Sequence, residues 1–346
     1  MLALVYRGAG RLDVEERETP ESGAGEALVR VLAAGICGTD LRIAKGAHRA
    51  YANADGRIPG HEIAAEVVAV DDAEGVAVGD RVFVAPNLGC GTCAACRAGR
   101  VNLCERAEAF GITFDGAFAE YMRVPAAAVR QGNVMAVPAG ADPSVVSLVE
   151  PLACVLRGQR AVRLAEGDTV LICGAGPIGL LHALLARAAG AARILISEPH
   201  ALRRAEAVRA ASAVGIDPTV EDLRTRVLGE TDGRGADIVI TAVPVPAVQA
   251  SALELAAVGG RINLFGGLPR DASRITIDSN LIHYREMLVT GTTANDTADC
   301  RQALELVLDG RLDLGHVVTA RFPLQRAEEA FAAAAGGAEL KVVIEP

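Results

Sequence analysis

The chain of 346 residues is poor in lysine, with Lys45 and Lys341 its only two, and its acidic residues outnumber the basic ones 43 to 34, for a formal net charge of −9. An acidic balance without a basic run disfavours a nucleic-acid partner. The scarcity of lysine reads as a compositional bias towards arginine. Long uninterrupted apolar runs are missing too. The most apolar stretch, 170–185, is broken by Gly174, Gly176, Pro177, Gly179 and His182, which is the punctuation of a strand, a turn and a helix rather than of a membrane span. The opening MLALVYRGAGRLDVEE has no charged leader followed by an apolar core, so no export signal is expected; the expected compartment is the cytoplasm, with cysteines reduced. No repeat or low-complexity linker is visible. A content of 51% hydrophobic and 22% charged residues fits ordered globular domains, and the length allows two of them, each with its own core.

What is present falls into two textures. Up to about residue 145, short strand-like segments at 27–33, 64–70 and 81–85 are separated by Gly and Asp, which predicts an irregular β domain. From Thr169 apolar runs alternate with alanine-rich helical stretches: TVLICGAG, PIGLLHALLARAAG, ARILISEP, ALRRAEAVRAA, ADIVITAV, VQASALELAAVG and RINLFGG. That alternation predicts an α/β doubly wound parallel sheet. Beyond about 286, helices at 298–308 and 327–335 and a final strand-like KVVIEP are expected to return to the first domain. The expected division is therefore 1–147 with 287–346, including a cysteine lobe at about 88–106, and a nucleotide-binding domain over 148–286.

Four of the eight cysteines, Cys90, Cys93, Cys96 and Cys104, lie within fifteen residues. Two-residue loops between the first three let neighbouring thiolates close on one tetrahedral ion, which predicts a structural zinc with no open coordination position. Two disulfides are the alternative, and the expected compartment argues against them.

Gly174-Ala-Gly176-Pro177-Ile178-Gly179 directly follows the strand TVLIC and opens a helix. Gly174 would allow the tight turn, Gly176 the close approach of pyrophosphate and Gly179 the packing of helix on strand, while the helix N-terminus faces the phosphates. A second strand, RILIS, ends in Glu198, close to the interval of ~20 residues expected for the carboxylate that grips the adenosine ribose. Its charge opposes a 2′-phosphate and favours NAD over NADP. Arg203 and Arg204 follow and could cover the adenine or hold a phosphate.

Three further segments carry metal-binding residue types: Cys37 in AAGICGTDL, His61-Glu62 in IPGHE and Glu150 in VEPLAC. A thiolate, an imidazole and a carboxylate from separate segments leave the fourth zinc position for water or substrate, as a catalytic zinc needs. Taken singly, a buried cysteine is usually inert core and a Glu before Pro a solvated loop end. Taken jointly, CGTD, PGHE, the four-cysteine lobe, DGAFAEYMRVP, VEPLA, GAGPIG and NLIHYREMLVTGT run from end to end, and on them the chain resembles the zinc-dependent branch of the medium-chain dehydrogenase/reductase family, near the polyol (sorbitol-type) and threonine dehydrogenases.

The resemblance implies a GroES-like β-rich catalytic domain, a Rossmann NAD-binding domain, an active cleft between them, and a homodimer or homotetramer. It implies an NAD-dependent zinc alcohol dehydrogenase with two zinc ions per subunit, one in each site. Carried over by position, Cys37 and His61 become zinc ligands, and Glu62 and Glu150 both stand for the remaining carboxylate role, directly or through water. Thr39 matches the hydroxyl that relays the substrate proton, with Asp40 and Arg42 close by. Many relatives place a histidine at position 42; arginine stays charged at neutral pH, so the proton's way out must use water, the coenzyme ribose or another group such as His48. Zinc acts as a Lewis acid on the alcohol and NAD takes the hydride.

The expected substrate is a small secondary alcohol: a polyol, sugar, cyclitol or amino alcohol. Threonine or another amino alcohol is the alternative within the same fold, and a lyase or epimerase that oxidises its substrate transiently is the alternative of a different class. A metal-stabilised NAD-binding protein without turnover is a third reading, opposed by the joint presence of Cys37, His61, Glu62 and Glu150. Loops around 40–57 and 110–118, with Arg42, Lys45, His48, Arg49, Tyr51, Asn53, Asp55 and Phe114, are expected to line the pocket and suggest a polar substrate. Val243 and Phe265 would lie near the nicotinamide, or be plain core. His283-Tyr284-Arg285-Glu286 reads as a packing device, and Cys154, Cys173, Cys300 and His182 as buried core residues.

Overall fold

In a computed structural model, which describes residues 1–70 and 75–346, the chain forms two compact units: Met1–Ala153 with Ala294–Pro346, and Cys154–Thr293. The first is built on a seven-stranded sheet. Its strands run in the order Val318–Pro323, Lys341–Glu345, Ala27–Gly35, Glu62–Val70, Arg81–Val84 and Val134–Ala136, with Tyr121–Val124 also paired to Ala27–Gly35. Alternating burial along Ala27–Gly35 shows why the segment is a strand: Ala27, Val29, Val31 and Ala33 face the core and Arg30 faces solvent. A hairpin of Leu2–Tyr6 on Leu12–Glu16 adds Leu4 and Val5 to that core.

Register in this sheet does chemical work. Gly35 stands opposite Glu62 on one side and Val343 on the other, so the strands carrying Glu62 and Lys341 flank a residue without a side chain. A Cβ at Gly35 would overlap Glu62 Oε2 and approach Lys341 Cε to 2.8 Å. The glycine leaves room for a buried ion pair. A strand missed by sequence reasoning, Val318–Pro323, lies parallel to Lys341–Glu345; its Arg321 and closing Pro323 mask it, and its half-exposed, alternating burial is that of an edge strand.

The second unit is a six-stranded, wholly parallel sheet in the order Val214–Ile216, Arg193–Ser197, Thr169–Cys173, Ala236–Thr241, Ala256–Asn263 and Leu288–Thr290. Helices Pro177–Ala188, Ala201–Ala211, Leu223–Glu230 and Pro246–Leu255 connect the strands. This is the doubly wound α/β sheet, with the first strand central and the order reversing beside it. The run AAVG, read above as helix, instead opens strand Ala256–Asn263, because Ala256 is already extended (φ −87°, ψ 151°) and Gly259 takes φ +72°. No helix among the described residues is long and apolar enough to cross a membrane.

Candidate metal centres and dinucleotide site

The four-cysteine lobe closes as its spacing requires. Cys90, Cys93, Cys96 and Cys104 bring their sulfurs within 4.8 Å of one another, with Cys90–Cys96 at 4.0 Å and Cys93–Cys104 at 3.8 Å. These separations exclude disulfides, and all eight cysteines are free. They match the edge of about 3.8 Å of a tetrahedron with metal–sulfur bonds of ~2.3 Å. Backbone N–H groups of Cys93, Cys96 and Cys90 point at the sulfurs of Cys90, Cys93 and Cys104, each at 3.4 Å. Bonds from the Thr92 backbone and hydroxyl bring the Cys90 thiol down to about 5, favouring the thiolate that a metal needs, whereas desolvation moves Cys96 up to about 11. A cation among the four sulfurs would balance that contrast.

The second cluster comes from distant segments. Cys37 precedes the helix Gly38–Ala44, and Asp40 Oδ2 accepts the Cys37 N–H at 2.9 Å, fixing the turn CGTD. His61 and Glu62 are set by Gly60, which takes φ +101° and where a Cβ would come to 2.9 Å from the Phe118 nitrogen and 3.0 Å from its ring, leaving no space for a side chain. The ligand atoms of Cys37, His61 and Glu62 lie within 4.8 Å of one another, with His61 8% and Glu62 0% exposed. His61 Nδ1 is 3.5 Å from Asp40 Oδ1, too far for a good hydrogen bond, and both atoms are buried without a hydrogen-bond partner among the described residues. Glu62 Oε1 also has none, while Oε2 ion-pairs with Lys341 Nζ.

Glu150 sits in the first turn of helix Val149–Ala161, outside the group of mutually close ligand atoms, with Oε1 accepting the Asn295 side-chain N–H at 2.7 Å. Desolvation raises its pKa and nearby Glu62 raises it further, against His61, Asn295 and Lys341. Desolvation lowers the His61 pKa, but the Asp40 carboxylate and the Cys37 thiol reverse this and carry it well above the usual histidine range. Cys37, His61 and Glu62 bring their ligand atoms together at a buried centre, and the unpartnered atoms supply lone pairs there; the residues fit a cation. Asn295 and Lys341 escaped sequence reasoning. The only signal for Lys341 was its rarity, and nothing marked Asn295.

The glycine-rich turn has the shape that a dinucleotide needs. Gly174 takes φ +104° and packs on Val243, and a Cβ at Gly179 would fall on the Gly174 carbonyl, so the helix Pro177–Ala188 lies tight on the strand. A Cβ at Gly176 would meet only Arg203 Nη1, at 4.0 Å, so the turn beside Pro177 and Ile178 is open to a ligand. Glu198 Oε2 accepts the Ala175 N–H at 2.7 Å and Oε1 the His200 N–H at 2.8 Å, which ties the strand-end carboxylate to that turn. Arg203 Nε is buried without a partner, an orphan donor beside the opening. Arg204 is committed elsewhere: it donates to the carbonyls of Glu198 (2.6 Å) and Pro199 (3.1 Å) and pairs with Asp217 at 3.1 Å.

Other candidates separate on contact. Tyr51 is a core residue, 2% exposed, donating to the Gly111 carbonyl at 2.8 Å, and Phe114 packs on Phe110 with ring centres 5.9 Å apart. Asp55 pairs with Arg7 at 3.3 Å. Phe265 stands edge-on to His182 at 4.7 Å, and His182 is fully buried, its pKa pushed down to about 3 by desolvation. Cys173 and Cys300 are buried as expected, but Cys154 is half-buried, a correction that follows from its place near the edge of the buried face of helix Val149–Ala161. Tyr284 is 77% exposed, so the HYRE segment presents at least one aromatic ring to solvent.

Residues 23–139 match the alcohol dehydrogenase GroES-like domain and residues 177–309 the zinc-binding dehydrogenase family. L-threonine 3-dehydrogenase of Pyrococcus horikoshii is 35% identical over 336 residues, 96% of this chain and 94% of that protein. The chain belongs to the zinc-dependent medium-chain dehydrogenase family. L-galactonate-5-dehydrogenase of Escherichia coli is 30% identical over 332 residues, again covering 96% and 94%. A Sinorhizobium meliloti 1021 protein solved with NADP superposes with a TM-score of 0.92 at 33% identity, covering 100% of this chain and 99% of that one. The medium-chain family fold accounts for the GroES-like and Rossmann architecture, and membership makes the protein a zinc-dependent oxidoreductase of the alcohol dehydrogenase type.

Proposed function

We propose that this protein oxidises a secondary alcohol to the ketone with NAD, using zinc at the Cys37, His61 and Glu62 cluster. The observation that carries the reading is the convergence of a thiol, an imidazole and a carboxylate within 4.8 Å, with buried lone pairs that no group among the described residues satisfies. Zinc there would polarise the alcohol and lower its pKa, and NAD would accept the hydride. Cys37 and His61 hold the ion, and Glu62 and Glu150 share the carboxylate role; Lys341 neutralises part of Glu62, and Asn295 orients Glu150. Cys90, Cys93, Cys96 and Cys104 hold a second, structural ion.

Thr39 takes the substrate proton at Oγ1. Arg42 Nη2 donates to that oxygen at 3.1 Å, so one lone pair is spent and the other receives the proton. Arg42 cannot accept it onward, and the exit runs through water, the coenzyme ribose or His48. Gly174, Gly176 and Gly179 with the first turn at Pro177 and Ile178 cradle the pyrophosphate, Arg203 adds a donor, Glu198 holds the ribose, and Val243 and Phe265 border the nicotinamide. The Glu198 charge supports NAD over NADP, a preference that the NADP-bound relative puts to a direct test.

The test is metal analysis, with two zinc ions per subunit expected, together with NADH absorbance over a panel of polyols, sugars, cyclitols and L-threonine. Full activity in Cys37→Ser or His61→Ala would sink the assignment. The threonine 3-dehydrogenase relative favours amino-alcohol oxidation as the second reading, and the threonine arm decides it. An epimerase or lyase would turn over without net NADH. We further propose a cytoplasmic homodimer or homotetramer, to be read by light scattering.

A further inference from the structure

A cationic patch adjoins Thr39. Arg42, Lys45 and Arg49 are exposed, and none pairs with a carboxylate among the described residues, although arginines such as Arg7, Arg204, Arg261 and Arg326 each do. The acids of the same segment are spent: Asp40 binds the Cys37 N–H and faces His61, and Asp55 pairs with Arg7. Arg42 and Lys45 stand three residues apart at the end of helix Gly38–Ala44, where like charges repel, so the local fold gains nothing from keeping them together. In a chain of net charge −9 such an island is the place where an anion is attracted and not repelled.

One contact ties the patch to the candidate site. Arg42 Nη2 donates to Thr39 Oγ1 at 3.1 Å, which sets a guanidinium beside the hydroxyl that handles the substrate proton. His48, in the same segment, is half-buried; desolvation lowers its pKa and Arg42 and Arg49 lower it further, against Asp40. Its Nδ1 accepts the Ala50 N–H at 3.3 Å, which leaves the neutral ring with its proton on Nε2, a further donor. With Tyr51, Phe114 and Asp55 taken up by structural contacts, basic groups dominate what is left of the expected pocket residues.

We propose that this patch binds a carboxylate carried by the substrate, so that the alcohol oxidised is a hydroxy acid or sugar acid. Arg42 takes the carboxylate, with His48 and Arg49 completing the donor set, while the reacting hydroxyl sits at Thr39. A guanidinium fork suits a planar carboxylate through two parallel bonds, which an ammonium cannot match. The hydroxyl-bearing carbon gives its hydride to NAD and the hydroxyl its proton to the Thr39 path. The products are the keto acid, NADH and a proton, with the carboxylate unchanged. The proposal rests on the reading of Cys37, His61 and Glu62 as the metal centre. The coenzyme pyrophosphate presents the same anionic chemistry, and the experiment separates the two.

The zinc-loaded protein is assayed for NADH formation with matched pairs: galactonate and galactitol, gluconate and glucitol, L-threonine and L-threoninamide. Wild type is compared with Arg42→Gln and Arg49→Gln. The acid of the productive pair is expected to be favoured in kcat/KM by about tenfold or more, mostly through KM, and Arg42→Gln to cut that ratio about tenfold. The ratio should shrink as NaCl rises from ~50 mM to ~500 mM. Calorimetric titration of the protein–NADH complex with the same acids gives binding without turnover, with the carboxylate signal weakened in Arg42→Gln. Neutral partners used or bound as well as the acids would overturn the proposal, as would an Arg42→Gln loss confined to NADH affinity, which assigns the arginine to the pyrophosphate. Should no pair yield NADH, none of these acids is the alcohol oxidised, and calorimetry decides the patch: Arg42-dependent carboxylate binding supports the anion site, and no carboxylate binding overturns it.

Discussion

The two candidate metal clusters teach different lessons because they are put together differently. The lobe draws four sulfurs from fifteen residues, and backbone N–H groups of the same loop point at three of them. The Cys37 cluster draws on residues 37, 61 and 62, with Glu150, Asn295 and Lys341 around it, and buries acids that its own loop could not satisfy. One is a local knot and the other depends on the sheet. The first should therefore fail as a loss of local order, the second as a loss of chemistry or of the fold around a stranded charge.

The largest expected effect is on chemistry. Cys37→Ser or His61→Ala should lower turnover by at least ~10³-fold, the scale of several kcal/mol of metal-supplied charge stabilisation, while NADH fluorescence still reports coenzyme binding. If both variants lost NADH binding as well, the separation of chemistry from coenzyme binding would be false. Next comes Lys341→Met, which leaves Glu62 charged in a dry site; about 3–5 kcal/mol should be lost in urea unfolding. The double change with Glu62→Gln should recover part of that, and a double variant no better than the single would break the pairing. Lys341 also supplies a pH signature. Burial alone would lower its pKa, but Glu62 and Cys37 raise it above 10.5. Its contribution is then complete below about 10.5 and fades only as pH climbs through the higher folded value.

In the lobe, Cys93→Ala should remove one zinc per chain and lower the melting temperature by about 5–10 °C, with the ion at the Cys37 cluster retained in metal analysis. Loss of both ions would mean that the two centres are not independent. The smallest effect concerns the coenzyme: Glu198→Ser should improve NADPH binding relative to NADH by about tenfold, or ~1.4 kcal/mol. An unchanged ratio would mean that the carboxylate serves the backbone of Ala175 and His200 and does not read the ribose.

The contrast also explains what could be read in advance. The lobe and the glycine turn are short-range patterns, and their geometry follows from spacing: sulfurs at 3.8–4.0 Å, a helix tight on its strand, an open Gly176. The alternation of strands and helices from Thr169 foretold the parallel sheet, apart from Ala256–Val258, where a run of small apolar residues fits helix and strand equally and the neighbouring strand decided it. Asn295 and Lys341 were illegible because their roles arise from register and from bonds across more than a hundred residues. Tyr51 was read as a pocket residue from loop position alone, and the core took it, whereas Phe114 stays half-buried against Phe110. Glu62 was read as a metal neighbour, but nothing local revealed that a lysine already holds one of its oxygens.

The bare backbone at Gly35 has a consequence for the order in which the molecule comes together. Strands 27–35 and 62–70 can zip up early, yet they enclose an acid whose counterpart arrives only with strand Lys341–Glu345. A fragment stopping short of that strand would hold a carboxylate in oil with nothing to answer it, and would have to keep water in the seam. The Glu62–Lys341 pair thus ties the closing of the sheet to the completion of the candidate metal cluster.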